Sequence, residues 1–508
     1  MKASIRKTLQ HRKQRLQRRL ELLDLSQDRP VFSATPHYEL GERTQAIAAG
    51  GIGAMHLLAQ KIGLVDLINQ RVPILKRHLP YHESDHVLNM AYNLLAGGTC
   101  LEHLELRRQD EAYLDALETD RIPDPTTAGD FCRRFTPHHI DALLDAANEA
   151  RLNVWKQQPE TFFEEAFIEA DGTMVETYGQ CKQGTDFNHK KQFGYHPLLV
   201  SLGNTNEVLY VKNRSGNRPS HEGAAAYFDK AVALCRQAGF RKITLRGDTD
   251  FSQTAHLDHW NDDGVRFVFG YAAYSNLVEK AEQLPSDAWK RFSRRPKKPI
   301  KTRPRQKPEN VKQQKVKERE YENIELVEEW VAEFSYQPTN CKTTYRMIVL
   351  YKRQRVNRGQ QYLLDKEPYF FYISNDWDSP PEQIVYESND RCRQENLIGQ
   401  QKLEVGSFTA PLDGLVSNGA YMAICSLAWS LKIWAGLLLP EDGRWKEKRR
   451  QEKTQVLKMH FHTFTQAFIQ MPCQILRSGR RLIYRLLNWN PWQEVFFRLL
   501  DVLGRLQC

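Results

Sequence analysis

The chain has 508 residues, of which 41% are hydrophobic and 26% charged, which excludes a disordered chain and exceeds what one simple core needs. A formal net charge of +10 and a pI of about 9.0 point to a polyanionic partner, and nucleic acid is the commonest. The nine cysteines stand singly with no CxxC pair, which excludes a cysteine zinc module and a disulfide framework and fits reduced thiols in a cytoplasmic protein.

The opening Met1-Lys2-Ala3-Ser4-Ile5-Arg6-Lys7 leads into charge rather than an apolar run, so no secretory leader is expected. Residues 5–24 are densely basic with Leu9, Leu16, Leu20 and Leu23 at helical spacing. They read as an amphipathic helix, either an arm on DNA phosphates or a solvated face. With the loop-like 26–43 they form a basic N-terminal arm, 1–43.

Residues 44–150 read as a helical DNA-binding domain, helix-turn-helix-like in character. Ala54, Leu57, Leu58 and Ile62 share one face, and Val87, Leu88, Ala91 and Leu94 share another. Asp124-Pro125-Thr126-Thr127 carries a capping residue followed by a proline, a helix start. Gly50-Gly51-Ile52-Gly53 has no preceding strand and the wrong spacing for a dinucleotide loop, so it reads as a turn before a helix.

Between Glu164 and Gly270 the period changes to that of strands. Five are predicted: Ala166 to Ala170, Tyr195 to Leu202, Glu207 to Lys212, Lys242 to Leu245 and Arg266 to Phe269. Gly203-Asn204-Thr205-Asn206 makes a hairpin of the second and third. A helix from His221, capped by Gly239, precedes the fourth strand, and one over Ser252 to Asp262 precedes the fifth. The result is an α/β fold with a mixed five-stranded sheet flanked by helices, its first part spanning 151–275.

Residues 276–385 read as an insertion. Lys290 to Arg305 is roughly half Lys and Arg with three prolines, an exposed basic loop. Charged helical stretches are predicted around it, then strands at Tyr345 to Tyr351 and Tyr369 to Ile373. The core resumes over 386–440. Its apolar run from Leu415 to Leu439 contains Asn418, Ser426, Ser430 and Lys432, so a buried helix is predicted rather than a membrane span. Residues 441–508 read as basic and helical.

Three carboxylates stand out. Phe167-Ile168-Glu169-Ala170-Asp171 is an apolar run delivering Asp171 at its tip, and Lys242 to Leu245 runs on through Arg246-Gly247 to Asp248. Glu395 sits on a predicted helix with Arg391 four positions before it and Lys402 seven after, on nearly one face. Asp171, Asp248 and Glu395 are expected to hold two divalent ions, Mg²⁺ or Mn²⁺, for cutting and joining at phosphorus. Asp250 competes with Asp248 but stands where it could cap the following helix; Glu169 shares the face of Asp171 and would lie nearby. Arg391 and Lys402 are candidates to grip phosphate, as are Lys190, Lys191 and Arg246; the first two of these form a basic lip before the second strand. His256 and His259, flanking Asp258, lack further ligands at metal spacing and read as surface histidines.

Ala170-Asp171-Gly172-Thr173, Arg246-Gly247-Asp248-Thr249-Asp250-Phe251, and Arg391 through Glu395-Asn396 to Lys402 together resemble the motifs of DDE transposases of bacterial insertion sequences. The resemblance is to the branch with a β-rich insertion before the third acidic residue, and it implies a ribonuclease-H-like core. That family's third motif is Tyr, Arg, Glu and Lys with two, three and six residues between them. Arg391, Glu395 and Lys402 fit, whereas position 388 is Ser and the nearest tyrosine is Tyr386. The resemblance implies binding of terminal inverted repeats, a homodimer on DNA, cleavage of the ends and strand transfer into target DNA, in a bacterial cytoplasm without a membrane partner. It also places the insertion on the transposon end, where Trp330 would either stack on an unpaired base or pack internally. The alternatives are a ribonuclease-H-like nuclease that cuts without joining and a DNA-binding relic.

Overall fold

The computed structural model describes residues 45–78, 80–179, 181–294, 323–358, 361–363, 369–478, 481–487 and 489–506, with a few helical positions between 10 and 18. Most of the predicted arm 1–43 and the 295–305 part of the basic loop lie outside the described residues.

The chain opens with strand β1 (Gln45–Ile47) and then helices α1 (Ile52–Lys61), α2 (Leu64–Arg71), α3 (Glu83–Leu95), α4 (Pro125–Arg133) and α5 (Pro137–Trp155). The two glycines before α1 form the expected turn, and close contact is why they are glycines. A Cβ on Gly51 would sit 1.8 Å from the Phe468 carbonyl oxygen. The start of α4 follows the sequence signal: Asp124 Oδ1 accepts from the Thr127 amide at 2.9 Å, with Pro125 in the first turn.

The central sheet is built from β2 (Glu165–Gly172), β3 (Leu198–Leu202), β4 (Glu207–Lys212), then helix α6 (Ala224–Ala238), β5 (Lys242–Gly247), helix α7 (Thr254–Asp262) and β6 (Arg266–Tyr271). The strand order is β6-β5-β2-β3-β4. β2 is antiparallel to β3 and parallel to β5, which is parallel to β6. This is the expected mixed sheet flanked by helices. One predicted strand divides. Pro197 has no amide hydrogen to offer a ladder, so Phe193–Tyr195 pairs separately with Val175–Glu176 and Asp186–Phe187 in a small sheet beside the core.

The insertion contributes β7 (Asn323–Tyr336), β8 (Tyr345–Arg358) and β9 (Tyr369–Ser374). β9 pairs antiparallel with β6, Phe371 opposite Tyr271, so the insertion extends the central sheet rather than forming a separate one. The prediction of charged helix after the basic loop is corrected here, because Asn323–Tyr336 is a strand. Its glutamates find partners across the ladder and at the loop: Glu328 with Arg353, Glu333 with Arg346 and Glu329 with Arg294. Trp330 is half-buried on this strand, opposite Tyr351.

Helices α8 (Pro381–Asp390), α9 (Cys392–Gln400) and α10 (Leu415–Leu437) follow. Alone among the described helices, α10 is long and apolar enough to cross a membrane, and its apolar window is wholly buried within the protein. It is a core helix. Trp434 Nε1 on α10, Arg151 Nε on α5 and Trp155 Nε1 all donate to the carboxylate of Glu207 on β4, at 2.9–3.0 Å. A buried charge is thereby satisfied from two helices. The prediction of helix throughout 441–508 is corrected: the segment holds a hairpin, β10 (Cys473–Ser478) and β11 (Arg481–Leu486), before helix α11 (Gln493–Arg505). β10 pairs with β1, so the first and last segments share one sheet.

Arg246 corrects a second expectation. It is 5% exposed, its Nη2 donates to Glu169, itself 1% exposed, and its guanidinium lies 4.4 Å over the Phe167 ring. Nη1 donates to the Glu387 carbonyl at 3.1 Å. It is therefore an interior ion pair, not a phosphate contact. Arg246→Ala should strand the Glu169 charge and lower unfolding stability in urea by about 3–5 kcal/mol, and pairing it with Glu169→Gln should restore most of the loss. Unchanged stability with a shallower salt dependence of DNA binding would mean that Arg246 faces DNA after all.

Candidate active site

β2 and β5 are parallel neighbours with Glu169 directly opposite Arg246. Two residues further on, both strands end in carboxylates, Asp171 and Asp248. They stand at carboxyl ends of adjacent strands, where the chain switches from antiparallel to parallel connections. Open α/β sheets place their ligands in such crevices. Asp248 also caps the short turn Thr249–Phe251, its Oδ1 accepting the Asp250 amide at 3.0 Å. The expected capping role of Asp250 is not filled: α7 starts after Gln253 with no side-chain cap, and Asp250 lines the cleft together with Asp248.

Burial pushes the Asp171 carboxyl up to about 7, Arg391 opposes the shift, and the charges of Asp248 and Glu395 add to it. Asp248 is also raised, by burial first, with Arg391 again opposing. Arg391 Nη1 is 3.7 Å from Asp171 Oδ2, and Nη2 is 3.9 Å from Asp248 Oδ2. These separations are too long for hydrogen bonds, so the guanidinium acts as a counter-charge between two carboxylates.

Glu395 lies in the first turn of α9 with its side chain exposed, close enough to influence Asp171. Arg391 is not on the same helix: α8 ends at Asp390 and Arg391 occupies the junction before α9. Lys402 sits on a π-helical turn, Gln401–Val405, whose extra residue per turn breaks the predicted α-helical register with Glu395. Its Nζ donates to the Met174 carbonyl at 2.7 Å, on the cleft wall.

The cleft has a volume of about 890 Å³. Lys190 lines it, and Lys190 and Lys191 are exposed on the turn between Asp186–Phe187 and Phe193–Tyr195. The sequence reading missed the opposite wall, His196, Asn217 and Arg218. Arg214 holds that wall, its Nη1 donating to the carbonyls of Pro219, Ser220 and Glu222 at 2.7–3.1 Å. The available signal was the polar, turn-rich run Asn213-Arg214-Ser215-Gly216-Asn217-Arg218-Pro219 directly after β4.

Tyr386 is engaged elsewhere. Its hydroxyl donates to the Ser293 carbonyl and its ring packs on Phe292, 5.0 Å between centroids. Asp258, flanked by the two histidines, accepts from the Lys342 amide at 2.6 Å and the Tyr345 hydroxyl at 2.5 Å, fastening the β7–β8 turn to α7.

Asp171, Asp248 and Glu395 are hard oxygen donors; burial raises the first two, and Arg391 with the amides of Gly172 and Asp250 offsets only part of that. That donor set suits a small divalent cation such as Mg²⁺ or Mn²⁺.

A family model described as "Transposase DDE domain group 1" matches residues 44–508. No curated protein matches the chain. Among solved structures, the chain is similar to a piggyBac transposase in its synaptic complex with hairpin DNA, determined by cryo-EM. That match has 9% identity and a TM-score of 0.36, and covers 83% of this chain and 84% of the other.

Arg391→Ala should leave the two carboxylates without their counter-charge. Mn²⁺ should then bind the DNA-free protein at least about fivefold more tightly, the ratio for ~1 kcal/mol of lost ion pairing. Calorimetric titration against wild type measures it, and equal affinities would show that Arg391 does not compete with the cation.

Proposed function

Because this chain belongs to the DDE-domain transposases, we propose that it binds terminal inverted repeats as a homodimer on DNA, cuts the ends and joins them to target DNA in a bacterial cytoplasm. Transposases of this family generally use divalent metal ions. Asp171, Asp248 and Glu395 would hold two, Mg²⁺ or Mn²⁺. Such ions, when bound, activate an attacking oxygen and stabilise a leaving one at phosphorus. The observation that carries the reading is the meeting of Asp171 and Asp248 at adjacent strand ends, with Arg391 between them.

The chain's own groups have separable tasks. Lys402, held on the cleft wall, presents a fixed positive charge to a phosphate entering beside the carboxylates. Lys190, Lys191 and Arg218 flank the mouth and bind the backbone without reading sequence. Arg391, relieved of the carboxylates when cations occupy them, is free to take a phosphate oxygen.

The test is a joining assay with purified protein, Mg²⁺, a supercoiled target and a labelled duplex carrying a candidate element end. Glu395→Gln keeps shape and removes charge, so joined product should fall at least about 100-fold, more than loss of a mere supporting partner costs. Nicks without joining in wild type would convert the reading to a nuclease. In parallel, Asp171→Ala should retain end binding while losing cleavage, and persistent cleavage by that variant would remove Asp171 from the site. End affinity should fall steeply with salt, by about 0.9 log units per log unit of salt for each phosphate neutralised.

A further inference from the structure

Away from the cleft, the loop entering α3 gathers another set of metal-ligand side chains. His78, His82 and Glu83 each offer one ligand atom, and those atoms lie within 4.8 Å of one another. His78 Nδ1 is 3.3 Å from Glu83 Oε2. Zinc bonds of about 2.1 Å at tetrahedral angles place neighbouring donors roughly 3.4 Å apart, so this separation is that of two ligands on one ion.

Glu83 supplies the independent observation. Its side chain is 0% exposed, yet Oε2 has no hydrogen-bond partner among the described residues. Its other oxygen is fixed: Oε1 accepts from the amides of Ile74 at 3.1 Å and Leu75 at 2.9 Å. The carboxylate is therefore clamped with its unsatisfied oxygen turned toward His78. A buried carboxylate oxygen left in this state is costly unless a cation or donor completes it. The imidazoles are suitably placed. The rings of His78 and His82 stack with centroids 5.1 Å apart, and both side chains are exposed, so an ion has access from solvent. The His82 amide donates to Asp85 Oδ2 at 2.8 Å, which holds its backbone at the helix start.

We propose that His78, His82 and Glu83 form a zinc-class site that fastens the loop carrying Lys76 and Arg77 to the first turn of α3. Two imidazole nitrogens are borderline donors, and with one carboxylate they favour Zn²⁺ over Mg²⁺. Three protein ligands leave a fourth position for water. The site needs no cysteine, so the scattered cysteines of this chain do not bear on it. It is also independent of the acidic cleft.

Metal-stripped full-length protein would be titrated with Zn²⁺ against a chromophoric chelator, in excess Mg²⁺ to occupy the acidic cleft. Wild type should take up one equivalent that resists Mg²⁺. His78→Ala and His82→Ala, both surface changes, should each weaken that equivalent at least about 100-fold. Glu83→Gln keeps an acceptor for the Ile74 and Leu75 amides and should weaken it similarly. Co²⁺ in place of Zn²⁺ should give an intense four-coordinate visible spectrum in wild type that both histidine variants lose. No Mg²⁺-resistant equivalent, or one retained by both histidine variants, would overturn the proposal and leave an ordinary His78–Glu83 contact.

Discussion

The buried pair of Arg246 and Glu169 is the constraint on which the site depends. Each partner stands two residues before a cleft carboxylate, Glu169 before Asp171 and Arg246 before Asp248. The same guanidinium reaches the Glu387 carbonyl, four residues before Arg391. One side chain thus ties together three segments that lie far apart in sequence. Arg266 repeats the arrangement one strand further out, bridging Glu387 and Asp376 at 2.6–2.7 Å. Burying such pairs is expensive, and the cost is offset only when the geometry is fixed. That fixity sets the register of β2 against β5 and ties to them the end of α8, which packs on β6 and the insertion strands.

Above this layer the electrostatics are reversed. Asp171 and Asp248 are crowded and buried, with their carboxyls pushed upward, and Arg391 is the cation beside them. The cleft is anionic on its floor and cationic along its sides at Lys190, Lys402 and Arg218. A polyanion is drawn to the walls but repelled by the floor until that charge is neutralised. Binding at the walls and chemistry at the floor are therefore separable by charge.

The sequence was legible where local signals and tertiary context agree. The Asp124 cap, the five strand segments, the Gly239 helix stop and the buried character of α10 all carry their information within a few residues. The two strand-end aspartates were readable for the same reason. Arg246 was misread because a lone arginine looks alike whether it faces phosphate or a buried glutamate, and only the pairing of β2 with β5 distinguishes the two. The Lys402 register was misread because a single π-turn leaves no periodic trace. β7 reads as helix in the sequence because its glutamates mask the alternation; their partners, Arg346 and Arg353, lie on another strand. The cleft wall after β4 was passed over because its organising residue, Arg214, works through backbone carbonyls rather than a motif. Arg246 and β7 depend on long-range partners, whereas Lys402 and Arg214 depend on local geometry that no motif marks.

The pairing of β1 with β10 has a consequence for the newly made chain. Gln45 meets Ile475, so this strand waits for a partner synthesised roughly 430 residues later. At about 5–20 residues per second, that delay is on the order of 20 to 90 seconds. During it, the helices of the first segment exist without the clasp that joins them to the hairpin and to α11. A product released early, or clipped before the hairpin, would keep Asp171, Asp248 and Glu395 yet lack the strand that closes this sheet. Closure of this sheet thereby reports that synthesis has passed the hairpin.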